Sequence, residues 1–154
     1  MRQNANNICD EIVRNLYIGN RRAVDDGPHV FHMIVNCTPD IPLPTYCNQT
    51  IRIPIHDDPD EVNAMLQYMQ ETSVLEKIYT AVNQGERILV HCSAGMQRSC
   101  ALVACYLVWY RGLSAEEAVE YIRRKRPVAF FGGANLWDAI YQTELRRNRI
   151  RNRV

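Results

Sequence analysis

The sequence predicts one α/β domain: a central, mostly parallel sheet of four to five strands flanked by helices. Three observations predict it. Short apolar runs alternate with longer stretches of helical periodicity, the pattern of strands joined by helical crossovers. The run from Glu86 to Gly112, ERILVHCSAGMQRSCALVACYLVWYRG, reads as strand, tight loop, helix. A loop at the carboxyl end of a strand is where open α/β sheets place ligands. Finally, 154 residues with 47% apolar and 23% charged side chains suffice for one core under an ordinary polar surface.

The elements follow in chain order. Residues 1–10 read as a flexible leader or a short docking helix, which would also offer a homodimer contact. Ile12, Leu16, Tyr17 and Ile18, closed by Gly19-Asn20, read as one short strand and its turn. Arg21 to Asp26 forms a short helix stopped by Gly27-Pro28, and His32 to Cys37 is an apolar run of buried-strand character. Three prolines make Thr38 to Pro44 a loop. Gln49 to Ile55 alternates, with Ile51, Ile53 and Ile55 on one face, and Pro54 ends it as a strand leaves a sheet. A helical pattern covers Glu61 to Gln84, broken near Thr72-Ser73, with Asp60 as the expected N-cap and Gly85 as the stop. After the central strand–loop–helix, Ser114-Ala115-Glu116-Glu117 is a capping box opening a helix to about Lys125, ended by Pro127. A last helix runs from Asn135 to about Arg147, leaving 148–154 as a basic tail.

Composition narrows the function. A net charge of +1 gives no global attraction to nucleic acid or membrane, and no apolar run approaches the length of a span. The six cysteines include no CxxC pair, so no zinc site is expected. The opening MRQNANNICDE lacks an apolar targeting core, so free thiols in a reducing, intracellular compartment (cytoplasmic, nuclear or both) are expected.

The chemistry sits at HCSAGMQRS, residues 91–99. A strand turning into a helix N-terminus aims successive backbone N–H groups inward, and the helix dipole adds positive charge, which makes a cradle for a phosphoryl group. Ser93, Ala94, Gly95, Met96 and Gln97 line that cradle, and Gly95 suits its turn. Arg98 supplies a planar fork for two phosphate oxygens. Cys92 lies in the positive field, which favours the nucleophilic thiolate; attack on phosphorus would give a cysteinyl-phosphate. Ser99 donates to the sulfur when it must leave. His91 orients the loop through hydrogen bonds and does not titrate as a base. The competing reading is that Cys92 is a small buried hydrophobe, as Cys100 and Cys105 in the following helix are expected to be. The full string, with strand before and helix after, favours chemistry.

The leaving oxygen needs a proton, and the acidic cluster Asp57, Asp58 and Asp60 is the obvious source of an acid. Without further guidance either Asp57 or Asp58 serves, and capping of the following helix competes for both.

HCSAGMQRS resembles the signature loop of the cysteine-dependent protein tyrosine phosphatases, and the stretch from Ile12 to Glu144 is similar to their small dual-specificity branch, cellular or encoded by large DNA viruses. The resemblance implies a protein tyrosine phosphatase-like fold and hydrolysis of phosphotyrosine and phosphoserine or phosphothreonine in protein substrates, with no metal or cofactor. It also implies that Asp57, at the end of Ile53-Pro54-Ile55-His56-Asp57, is the general acid. Where the family has a Pro-Asn pair that holds the acid and signature loops, this chain has Phe131-Gly132-Gly133-Ala134-Asn135, and Asn135 is expected to take part of that role. Uncharged Met96 and Gln97 argue against inositol lipids as substrates. Two alternatives stand beside this reading: an RNA 5′-phosphatase of the same fold, and a catalytically silent phosphoprotein-binding module. The tail carries Arg146, Arg147, Arg149, Arg151 and Arg153, read as a solvated helix end or, more sharply, as a docking arm for an acidic partner or RNA.

Overall fold

The computed structural model describes residues 7–27 and 29–153. Most of the expected leader, and with it the docking helix and homodimer contact, lies outside the described residues. Its last two residues do not behave as a leader: Cys9 and Asp10 begin strand β1 (Cys9–Val13). The expected single strand over 12–18 is a hairpin, because β1 turns back into β2 (Leu16–Gly19) and pairs with it antiparallel. Asn15 makes the turn with φ +69°, and Glu11 fixes it by accepting the Asn15 amide at 2.8 Å.

The other elements are α1 (Arg22–Asp25), β3 (Met33–Asn36), β4 (Thr50–Arg52), α2 (Val62–Thr72), α3 (Val74–Asn83), β5 (Ile88–His91), α4 (Arg98–Arg111), α5 (Ala115–Lys125) and α6 (Trp137–Arg151). The five-stranded sheet has the order β1-β2-β5-β3-β4, parallel throughout except for the β1 edge. β5 is central and buried along its whole length, as a strand covered on both faces must be. β4 is shorter than the expected 49–55 because Pro54 has no N–H for the ladder; Ile53 and Ile55 are nevertheless fully buried. Ser73, with φ +54°, supplies the break between α2 and α3.

α4 is the hub. Every residue from Ser99 to Val108 is buried, and the helix packs against β5, α3, α5 and α6. Its leucines and valines each contribute roughly 1.5–3 kcal/mol by burial. The expected capping box opens α5: the Ser114 hydroxyl accepts the Glu117 amide at 3.1 Å, and the Glu117 carboxylate accepts the Ser114 amide at 2.9 Å.

Arg147 is not a solvated tail cation. It is buried on α6, and its Nη1 donates to the carbonyls of Val108 and Leu113 at 2.7 and 2.6 Å, satisfying the carboxyl end of α4. The helix runs on to Arg151, so most of the expected tail is helical too.

Candidate active site

β5 ends at His91 and α4 begins at Arg98, so residues 92–97 bridge the centre of the sheet to the hub helix. The loop is held from outside by its carbonyls. Ser93 accepts from the Arg21 amide at 3.0 Å, Met96 from the Phe130 amide at 2.7 Å, and Gly95 from the Arg126 guanidinium at 2.8 Å. With those carbonyls turned outward, the amides between them turn inward. No acceptor among the described residues engages the N–H groups of residues 93–97. Unpaired amides at a helix N-terminus can cradle an anion. Gly95 has φ +69°, and a Cβ there would lie 2.7 Å from the Gly19 carbonyl oxygen, so only glycine fits.

Cys92 is 2% exposed at the floor of the cradle, and its Sγ lies 3.2 Å from the Ser99 Oγ on the first turn of α4. Arg98 donates from Nη1 to the Ile55 carbonyl at 2.9 Å, while its buried Nε has no partner among the described residues. A buried guanidinium N–H of that kind can be satisfied by an oxyanion. Ser93 and Ala94 are exposed at the rim.

His91 is fully buried. Burial pulls its pKa down to about 4, with Arg52 and Arg98 adding to the effect against the opposing Cys92 carbonyl, so the ring is neutral at pH 7. Its Nδ1 lies 3.3 Å from that carbonyl. Burial also pushes the other core thiols up: Cys37 and Cys100 well above the usual range, and Cys105 to about 12. These three are inert fillers, as expected of Cys100 and Cys105.

The acidic cluster separates into distinct roles. Asp58, not Asp60, is the cap: its Oδ1 accepts the Asp60 amide at 2.8 Å and starts a 3-10 turn over Pro59–Glu61. Glu61 accepts the His56 amide at 2.7 Å. Asp57 caps nothing. It is exposed, and its Oδ1 accepts from Asn135 Nδ2 at 3.0 Å. The structure therefore brings Asp57 and Asn135 together, and Arg98 holds the same loop two residues earlier.

Gln97 differs from its expected place in the cradle. Its side chain is buried and turned away, toward residues 131–135, so only its backbone can serve an anion. Sequence reasoning missed two further residues, Arg126 and its partner Asp10. Arg126, 1% exposed, donates to the Gly95 carbonyl and pairs with Asp10 at 2.7 Å. An arginine inside the run Arg123-Arg124-Lys125-Arg126 carries no local sign that it will be buried.

The catalytic domain of dual specificity phosphatases matches residues 16–146, which take in Asp57, the cradle and Asn135. The chain belongs to the dual specificity phosphatase family. Among its relatives is the 123R protein of Invertebrate iridescent virus 6, named as a tyrosine phosphatase, 29% identical over 78% of this chain and 81% of that protein. Human dual specificity phosphatase 28 is 37% identical over 51% of this chain and 43% of that protein. The crystal structure of human DUSP28 superposes with a TM-score of 0.80 at 26% identity, over 92% of this chain and 96% of that one. Family membership makes this a cysteine-dependent protein phosphatase, and a dual specificity phosphatase acts on phosphorylated proteins. No helix among the described residues is long and apolar enough to cross a membrane.

Proposed function

We propose that this phosphatase removes phosphate from phosphotyrosine and from phosphoserine or phosphothreonine in proteins, with Cys92 as nucleophile and Asp57 as general acid. The Cys92 sulfur attacks phosphorus, and the phosphorus–oxygen bond to the side chain breaks. The electron pair leaves on that oxygen, which takes the Asp57 proton. The cradle amides and Arg98 stabilise the charge on the three remaining oxygens. Asp57, now a carboxylate, then takes a proton from water as the water attacks phosphorus. The sulfur–phosphorus bond breaks, inorganic phosphate departs, and Ser99 donates to the departing thiolate.

The observation that carries this reading is the cradle: Cys92 on its floor, Ser99 3.2 Å from the sulfur, and a buried Arg98 N–H free for an oxyanion. The Asn135–Asp57 contact supports Asp57 as the acid over Asp58, whose carboxylate is engaged in capping. An intracellular, reducing location belongs to the same reading, since all six cysteines are free thiols.

The test is phosphate release from one peptide carrying both phosphotyrosine and phosphothreonine, with Cys92→Ser as control. Release from both positions, abolished by the substitution, is expected. Release from phosphotyrosine alone would remove the dual specificity, and release that survives Cys92→Ser would remove the mechanism.

A further inference from the structure

Gln97 is 6% exposed in a loop whose rim residues Ser93 and Ala94 are open to solvent. Its amide is fully engaged by one short segment. Nε2 donates to the carbonyls of Phe131 at 3.1 Å and Gly133 at 2.8 Å, and Oε1 accepts the Asn135 amide at 3.0 Å. Only this orientation works, because a reversed amide would set its oxygen against two carbonyls.

Besides these, two turn hydrogen bonds hold the segment, from the Gly133 amide to the Phe130 carbonyl at 2.9 Å and from the Trp137 amide to the Ala134 carbonyl at 3.1 Å. Gly132 and Gly133 have φ +79° and +115°, and the space where a Cβ would sit at either is open. Phe131 is exposed. Its entry is fixed by the Phe130 amide on Met96, and its exit is Asn135, whose side chain holds Asp57. Hydrogen bonds thus run without a break from Gln97 to the Asn135 backbone, and from the Asn135 side chain to Asp57.

We propose that Gln97 is a positioning residue for the leaving-group acid, joining the nucleophile's loop to Asp57 through Asn135. The proposal rests on the reading of Asp57 as that acid. Gln97 touches no reacting atom. Its effect is confined to reactions that need the proton, because misplacing a catalytic group by about 1 Å can cost on the order of a hundredfold.

The experiment compares kcat/KM on p-nitrophenyl phosphate, whose leaving group needs little protonation, with that on phenyl phosphate, whose leaving group needs more. The ratio of the two is taken within one enzyme preparation, so any unfolded fraction cancels. Asp57→Asn calibrates the assay. Gln97→Ala is expected to lower kcat/KM on phenyl phosphate about tenfold more than on p-nitrophenyl phosphate. Gln97→Glu, close in shape but with an oxygen facing both carbonyls, shifts the ratio the same way and serves if the alanine variant does not fold. Adding Gln97→Ala to Asp57→Asn is expected to change the ratio by less than about twofold, since the acid it positions is gone. Equal losses on both substrates in the Gln97 variants, with Asp57→Asn still discriminating, would overturn the proposal and leave Asp57 standing. An Asp57→Asn enzyme with an unchanged ratio would overturn both.

Discussion

The Asp10 carboxylate meets the Arg126 guanidinium at 2.7 Å beneath the signature loop. The same guanidinium donates to the Gly95 carbonyl, so an edge strand at one end of the sheet braces the catalytic loop. Removing one member of such a pair leaves a buried charge uncompensated, which costs about 3–5 kcal/mol. Asp10→Ala is expected to lower Tm by on the order of 10 °C for a domain of this size, and deleting residues 1–10 at least as much. Thermal unfolding followed by circular dichroism measures both. A Tm unchanged in either variant would mean that Arg126 finds its counter-charge elsewhere.

Asp57 and Asp58 are neighbours with opposite expected phenotypes. Asp57 accepts from no backbone amide among the described residues, so Asp57→Asn should leave Tm nearly unchanged while lowering kcat/KM on poor leaving groups by about 10²–10⁴. Asp58 caps the turn over Pro59–Glu61, so Asp58→Ala should cost about 1 kcal/mol of stability with a much smaller kinetic effect. Measuring Tm and kcat/KM on both variants decides the assignment, and an exchange of the two phenotypes would make Asp58 the acid.

What the sequence carries locally, it carries well. The strand–loop–helix from 86 to 112 was legible because apolar periodicity, one glycine and the Cys-to-Arg spacing all fall within a single window. The break at Ser73 and the capping box at Ser114 are local in the same way. What was not legible is held by contacts between distant residues. Arg126 and Asp10 are 116 positions apart, and nothing in a run of four basic residues says which one the fold will bury. Gln97 reads as one more cradle residue until residues 131–135 come to lie beside it. The hairpin at 9–19 reads as one strand because its turn is built from Arg14-Asn15, without the glycine that usually announces one.

The Ser99 hydroxyl, 3.2 Å from the Cys92 sulfur, is expected to matter most when that sulfur must leave with charge, as the cysteinyl-phosphate breaks down. A hydrogen bond to a charged partner is worth about 1.5–3 kcal/mol, or roughly 10- to 100-fold in rate. Ser99→Ala is therefore expected to lower kcat by that factor with a smaller loss in kcat/KM, and to let the phosphoenzyme accumulate. Rapid acid quench followed by intact-protein mass measurement detects the intermediate. Equal losses in kcat and kcat/KM, with no accumulation, would place Ser99 outside the breakdown step.

His91 ties acid stability to the catalytic loop. Its folded pKa, about 4, lies below the 6.5 of an exposed imidazole because the ring is buried beneath the cradle. Above pH 6.5 the ring is neutral in both states and takes nothing from stability. As pH falls from 6.5 toward 4 the unfolded chain binds a proton that the folded one refuses, so stability drops; below about 4 both bind it and the loss levels off. Between pH 7 and pH 5 this single group should remove about 2 kcal/mol. His91→Asn replaces it with a side chain that does not titrate, so the variant starts less stable at pH 7 but loses less on going to pH 5. Urea unfolding of both proteins at the two pH values measures the difference. Equal losses in wild type and variant would mean that His91 is protonated in the folded enzyme at pH 5 and takes a proton within its buried site.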